Sequence, residues 1–126
     1  MERLVGFYET ATGTSAVWST PQFAELRTPA GTLAIAGTPT LAAFGPGIAQ
    51  PGANRTVILE FLVADVDSEF DRLKNALALD LVQEPTTMPW GNRSLLFRDP
   101  DGNLVNLFTP VTPEAIERFQ GVTPRT

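Results

Sequence analysis

The chain carries one pattern twice, 71 positions apart: Leu26-Arg27-Thr28-Pro29-Ala30-Gly31-Thr32-Leu33-Ala34-Ile35 returns as Phe97-Arg98-Asp99-Pro100-Asp101-Gly102-Asn103-Leu104-Val105-Asn106. Arg, Pro, Gly and Leu fall in matching places. Each copy reads as a β-hairpin. Proline presets φ at the second turn position and the glycine two residues later accepts a left-handed backbone, so both copies predict a type I turn followed by a bulge. A unit used twice in 126 residues predicts two modules related by a pseudo-twofold axis, with the ligand space between them.

The second half has the order strand, helix, strand, strand, strand. Thr56 to Val63 is an apolar, β-branched run that predicts a strand buried on both faces, with Glu60 its only charge. Asp67 reads as the N-cap of a helix whose stripe is Val66, Phe70, Leu73 and Leu77. Leu79 to Gln83 follows as a short strand, Glu84 to Gly91 as a loop carrying Trp90, and Arg93–Arg98 with Asn103–Thr109 as the last hairpin. The first half repeats this order without an opening strand: a helix over Glu2–Ala11 closed by Gly13, then strands at Ser15–Ser19, Gln22–Arg27 and Thr32–Ala36. The expected organisation is an N-terminal module over 1–37, a Gly/Pro-rich linker over 38–55, a C-terminal module over 56–110, and a helix and tail over 111–126.

Composition narrows the chemistry. The chain is 43% hydrophobic and 18% charged, which suits one soluble domain. It has no cysteine and no histidine, so thiolate and imidazole chemistry are absent and acid/base work would fall to carboxylates, Tyr8, lysine or arginine. The lack of cysteine fits a cytoplasmic protein. A net charge of −5 argues against nucleic acid or an anionic membrane as partner. No apolar run approaches the roughly 18 residues of a membrane span, and no signal-peptide pattern opens the chain.

Register decides which side chains face the ligand space. With a bulged turn, Asp99 pairs with Asn103 and Leu96 lies opposite Asn106, which leaves Leu95, Phe97, Val105 and Leu107 as a wholly apolar core face. Ser94, Leu96, Arg98, Leu104, Asn106 and Phe108 then face the cavity, joined by Ile58, Glu60 and Leu62. The repeat assigns Phe23, Glu25, Arg27, Leu33 and Ile35 to the cavity from the first module. Ile35, Ile58, Glu60, Trp90, Ser94, Leu96, Asn106, Phe108 and Glu25 are therefore the candidate ligand-binding residues. Glu60 reads as a ligand-facing or catalytic carboxylate, as half of an internal ion pair with Arg27, Arg93 or Arg98, or as the mark of a water-filled inner face. Trp90 is either packing or a lid, and Asp99 and Asp101 are turn formers.

The run Met88-Pro89-Trp90-Gly91-Asn92-Arg93-Ser94, the segment Phe97 to Val105 and the stretch Phe61 to Asp67 resemble the second module of the glyoxalase/bleomycin-resistance/extradiol dioxygenase family, the vicinal oxygen chelate superfamily. The resemblance implies an α+β fold in which paired βαβββ modules form a curved mixed sheet, here with the first module lacking its opening strand. It includes metal-dependent isomerases, lyases and ring-cleaving dioxygenases, and also metal-free proteins that bind drugs. Its metal positions lie on the first and last strands of each module. Here they match Ile58 and Asn106 in the second module and Ile35 in the first, so the resemblance implies no metal and no cofactor. It also implies homodimerisation, because the edge near Leu33 to Ala36 lacks a neighbouring strand.

The expected function is a cytoplasmic, metal-free, small-molecule-binding protein of the glyoxalase/bleomycin-resistance type, with an apolar or aromatic ligand between the modules. One alternative is a glyoxalase-like lyase or isomerase, or a dioxygenase-related enzyme. In it a buried Glu60 with a raised pKa acts as general base, and Asn106 or Ser94 donates to an oxyanion. Another is a degenerate homologue whose cavity is filled by its own side chains.

Overall fold

A computed structural model describes residues 1–124 of the chain. Helix α1 (Glu2–Thr12) ends where Gly13 takes φ 68°, and its N–H donates to Glu9 O at 2.9 Å. Its buried face is Val5, Phe7, Tyr8 and Ala11. Strands β1 (Val17–Thr20), β2 (Phe23–Arg27) and β3 (Thr32–Ala36) follow as an antiparallel sheet in that order. A short helix, α2 (Thr38–Ala42), interrupts the Gly/Pro-rich stretch, where only a linker was expected.

The second module holds β4 (Ile58–Leu62), α3 (Val66–Ala76), β5 (Asp80–Thr87), β6 (Asn92–Arg98) and β7 (Leu104–Pro110). Its sheet runs β4-β7-β6-β5, with β4 parallel to β7 and the other pairs antiparallel. Helix α4 (Pro113–Arg118) closes the described chain, with the Thr112 hydroxyl as its N-cap, accepting from Ala115 N at 3.3 Å. No described helix is long and apolar enough to cross a membrane.

Several local expectations are corrected. Asp65, not Asp67, caps α3: its Oδ1 accepts from Asp67 N at 3.1 Å and Ser68 N at 3.3 Å. Asp67 is thereby free to receive Arg93, whose Nε donates to its Oδ2 at 2.8 Å. Strand β5 continues through Pro85 to Thr87, where a loop was expected. It is an edge strand whose register to β6 slips twice, and a proline costs no ladder bond at such a position.

The two hairpins of the sequence repeat close differently. At the second, Asp99 N donates to Asn103 O and Gly102, at φ 85°, donates to Asp99 O, which is the bulged turn anticipated. At the first, Thr28 N donates to Gly31 O at 2.8 Å and the Thr28 hydroxyl accepts from Gly31 N at 3.1 Å. Gly31 has no positive φ, so the loop is Pro29-Ala30 alone. The threonine hydroxyl holds the short turn, and the register shifts by one residue relative to the second copy. Ala24 now pairs with Ile35 and Leu26 with Leu33, turning all four toward the core.

One core joins the modules. Ala24, Leu26 and Ile35 share it with Val66, Leu73, Leu95, Phe97, Val105 and Leu107. Helix α1 is the bridge: Phe7 packs on Phe97 with centroids 5.9 Å apart, and Tyr8 on Phe61 at 6.4 Å. Each fully buried aliphatic or aromatic side chain contributes roughly 1.5–3 kcal/mol. From α3, Arg72 donates to the carbonyls of Thr10 and Ala11 at 2.7 and 3.3 Å, satisfying the C-terminal end of α1.

Candidate functional site

Because Leu95, Phe97, Val105 and Leu107 go to the core, strand alternation sends Ser94, Leu96, Leu104 and Asn106 to the opposite face of the sheet. Leu96 stands across from Asn106, and β4 places Glu60 on the other side of Asn106. Only part of this face is covered. Phe119, just past α4, packs on Phe108 with centroids 5.1 Å apart, and a turn at residues 88–92 rises beside it. Between them lies a pocket of about 550 Å³, lined by Ile58, Glu60, Met88, Trp90, Asn92, Ser94, Leu96, Leu104, Asn106, Arg118 and Phe119. That volume suits a small organic ligand.

The turn that carries Trp90 is built like the last hairpin. Gly91 N donates to Met88 O at 2.9 Å, Met88 N donates to Asn92 O at 2.8 Å, and Gly91 takes φ 93°. Met88-Pro89-Trp90-Gly91-Asn92 therefore adopts the bulged turn of Asp99-Pro100-Asp101-Gly102-Asn103, and it sets Trp90 at the tip, 56% exposed. Gly91 is also required for contact. A Cβ there would lie 2.1 Å from Thr112 Oγ1 and 2.9 Å from Ala115 Cβ, so α4 sits directly against this turn. Gly91 O accepts from Val111 N, and Arg118 Nη2 donates to Trp90 O at 2.6 Å.

The polar groups of the pocket are few. Asn106 Nδ2 donates to Glu60 Oε2 at 2.9 Å. Asn106 Oδ1, Ser94 Oγ and Asn92 Oδ1 are buried and have no hydrogen-bond partner among the described residues. A buried polar atom left unpaired costs about 1–3 kcal/mol, and such atoms in a pocket wall are the ones a ligand or ordered water satisfies. A smaller cavity of about 360 Å³ lies beside Arg3, Asp80, Arg98 and Asp99. There Arg98 donates to Gly102 O and Asp99 accepts from Tyr8 and Asn103, so the chain itself occupies these two groups.

Of the residues expected to bind ligand, Ile58, Glu60, Trp90, Ser94, Leu96 and Asn106 come together here. Phe108 shares their face but is buried under Phe119. Two do not join them. Ile35 lies in the core, because the shorter first turn shifted its register. Glu25 lies on the face of the three-stranded sheet opposite the core, 3.8 Å from Arg27. Strand β4 is not buried on both faces: Ile58 is 54% exposed and Glu60 is exposed as well. Glu60 makes no ion pair with Arg27, Arg93 or Arg98, which serve Glu25, Asp67 and Gly102. The burial on which a general-base role for Glu60 rested is therefore missing. The Asn106 amide gives one of its two N–H groups to Glu60 and keeps one for another acceptor. Leu104 lines the pocket as the register implied, whereas Met88, Asn92, Arg118 and Phe119 are additions; alternation from Ser94 already implies Asn92, and nothing local places α4.

The metal positions implied by the resemblance do not fit a divalent ion. Ile58 is aliphatic, Ile35 is in the core, and Asn106 points its amide nitrogen at Glu60. No group of three or more His, Cys, Asp or Glu side chains suited to a metal occurs among the described residues. One carboxylate flanked by amides is too few hard donors.

Over residues 1–107 the sequence matches the Glyoxalase/Bleomycin resistance protein/Dioxygenase superfamily. No curated protein matches the chain. Among solved structures, a glyoxalase/bleomycin resistance protein/dioxygenase from Nocardioides is 24% identical with a TM-score of 0.70, over 89% of this chain and 77% of that one. A glyoxalase-related enzyme from Fulvimarina pelagi is 21% identical with a TM-score of 0.71, over 90% and 86%. A family enzyme from Burkholderia phytofirmans is 19% identical with a TM-score of 0.66, over 84% and 87%. At these identities the structures speak for the fold alone, and the sequence match carries the assignment: the chain belongs to the glyoxalase/bleomycin resistance/dioxygenase superfamily.

Proposed function

We propose that the protein binds a small, largely apolar or aromatic molecule in the pocket on the free face of the four-stranded sheet, without a bound metal. One observation carries this reading: an apolar wall of Met88, Trp90, Leu96, Leu104 and Phe119 encloses buried polar atoms of Ser94 and Asn106 that nothing in the described chain satisfies. Apolar surface supplies affinity at about 25 cal/mol per Å², and a few polar atoms fix orientation. Its volume of about 550 Å³ speaks against a cavity filled by its own side chains. Exposure of Glu60 favours sequestration over turnover. In the same reading the protein acts in the cytoplasm, and a second copy covers the open side of the pocket near Ile58 and Trp90.

The test is a thermal-shift and fluorescence screen of aromatic and alicyclic small molecules in a Trp18→Phe background, so that Trp90 reports alone. Binding that perturbs Trp90 and falls at least about tenfold in Phe119→Ala is expected. A broad library with no member perturbing Trp90 at millimolar concentration would overturn the reading. Elemental analysis gives the second arm: about one Zn, Fe, Mn or Ni per chain, retained after dialysis against a weak chelator, would refute the metal-free part.

A further inference from the structure

The hydrogen-bonding character of the pocket wall is lopsided. A carboxylate is acceptor-only, so the Glu60 side chain fixes the Asn106 amide with its nitrogen toward Glu60 Oε2 and its oxygen turned away. The oxygen is the orphan: Asn106 is 9% exposed and its Oδ1 has no partner among the described residues. Glu60 is exposed and Asn106 is the one hydrogen-bond donor it has in the described chain, which leaves carboxylate acceptor capacity facing the pocket. Ser94 contributes a hydroxyl that serves either as donor or acceptor. Among the described residues the one basic side chain in the wall is Arg118, and its Nη2 is directed to Trp90 O at 2.6 Å. An anionic ligand would thus place its charge beside the Glu60 carboxylate, and a carbonyl compound, although Ser94 could donate to it, would leave Glu60 and Asn106 Oδ1 without a donor.

We infer that the pocket selects ligands that carry a protonated nitrogen on an apolar or aromatic body, with Glu60 and Asn106 Oδ1 as the recognition pair. The inference rests on the reading of this pocket as a small-molecule site and names the ligand class. An ammonium has several donors and no acceptor, so one such group satisfies both the Glu60 carboxylate and the orphaned amide oxygen. The aromatic groups Trp90 and Phe119 in the same wall favour a cation attached to a flat apolar body.

The experiment compares naphthylmethylamine, naphthylmethanol and naphthoate, which share one apolar body, by calorimetry and by the Trp90 indole N–H resonance at neutral pH. The amine is expected to bind at least about tenfold more tightly than the carboxylate, with the alcohol between them. Because the whole protein is acidic, general attraction of cations is controlled with two variants of equal charge. Glu60→Gln is expected to abolish the preference. Asp71→Asn, at an exposed carboxylate paired with Lys74 on α3, is expected to leave it intact. A preference that survives Glu60→Gln, or equal binding of all three probes at Trp90, overturns the inference while leaving the pocket a binding site. If no probe shifts Trp90, the inference fails; the binding reading falls with it only if the wider small-molecule screen also leaves Trp90 unperturbed.

Discussion

The Tyr8 hydroxyl donates to Asp99 Oδ2 at 2.5 Å and so ties the helix of the first module to the last turn of the second. Both residues are buried, and the other bonds to this carboxylate come from Asp101 N, Asn103 N and Asn103 Nδ2. Asp99 thus closes its own turn and anchors α1, a role larger than turn formation. Tyr8→Phe keeps the ring against Phe7 and Phe61 but deletes one bond to a carboxylate. A loss of about 1.5–3 kcal/mol in urea unfolding is expected, with the fold retained. A loss below the error of the measurement would show that the bond adds nothing net.

Tyr8 is the only tyrosine, so its ionisation can be followed without overlap from other phenols. Burial first, then the hydrogen bond to Asp99 and the negative charges of Asp99 and Asp101, push its pKa above the ordinary value of 10.0. The folded protein therefore keeps a proton that the unfolded chain releases near pH 10. Its contribution to stability is full below that pH and is lost progressively as pH rises above it. Phenolate absorbance should appear only with unfolding. A reversible titration near pH 10 in folded protein would contradict this.

Gly91 and Gly102 both take positive φ, yet their surroundings differ. A Cβ at Gly102 meets nothing, whereas at Gly91 it meets Thr112 and Ala115. Gly102→Ala should cost about 1–2 kcal/mol from backbone strain alone. Gly91→Ala should cost roughly 2–4 kcal/mol, because overpacking against α4 is added, and should loosen the pocket wall. Equal losses in the two variants would mean that α4 does not press on the turn.

Ser94 holds a buried hydroxyl with no partner in the described chain. Ser94→Ala removes an unpaired polar group at nearly constant shape, so stability should stay level or rise by about 1 kcal/mol while ligand affinity falls. Calorimetric melting with and without ligand separates the two effects. A clear loss of stability without ligand would show that the hydroxyl is satisfied in the folded protein.

Strand β3 has β2 on one side and no hydrogen-bonded strand on the other among the described residues, and β4 has only β7. An unpaired edge and the exposed Ile58 and Trp90 support the proposal of a homodimer, burying on the order of 1,000 Å² or more. Light scattering at micromolar concentration should give twice the chain mass of 13.6 kDa. A monomeric mass would refute it.

What the sequence alone determined lies mainly in the second module. The Asp99-Pro100-Asp101-Gly102-Asn103 turn is set by local chemistry, and one register alone makes Leu95, Phe97, Val105 and Leu107 a continuous apolar face, so the placement of Ser94, Leu96 and Asn106 follows from short-range rules. The same logic failed at Thr28 to Gly31, because a side-chain hydroxyl closes a shorter turn there and its register moves Ile35 into the core. The turn at Met88 to Asn92 is legible in its Pro-x-Gly-Asn pattern, but Pro85 conceals the edge strand that leads into it. Tertiary structure decided the rest. Whether β4 is covered on its second face depends on what packs there, and an apolar run looks alike under either outcome. The seat of α4 against Gly91, and with it Phe119 and Arg118 in the pocket, comes from contacts between residues 21 to 28 positions apart, which no local pattern encodes.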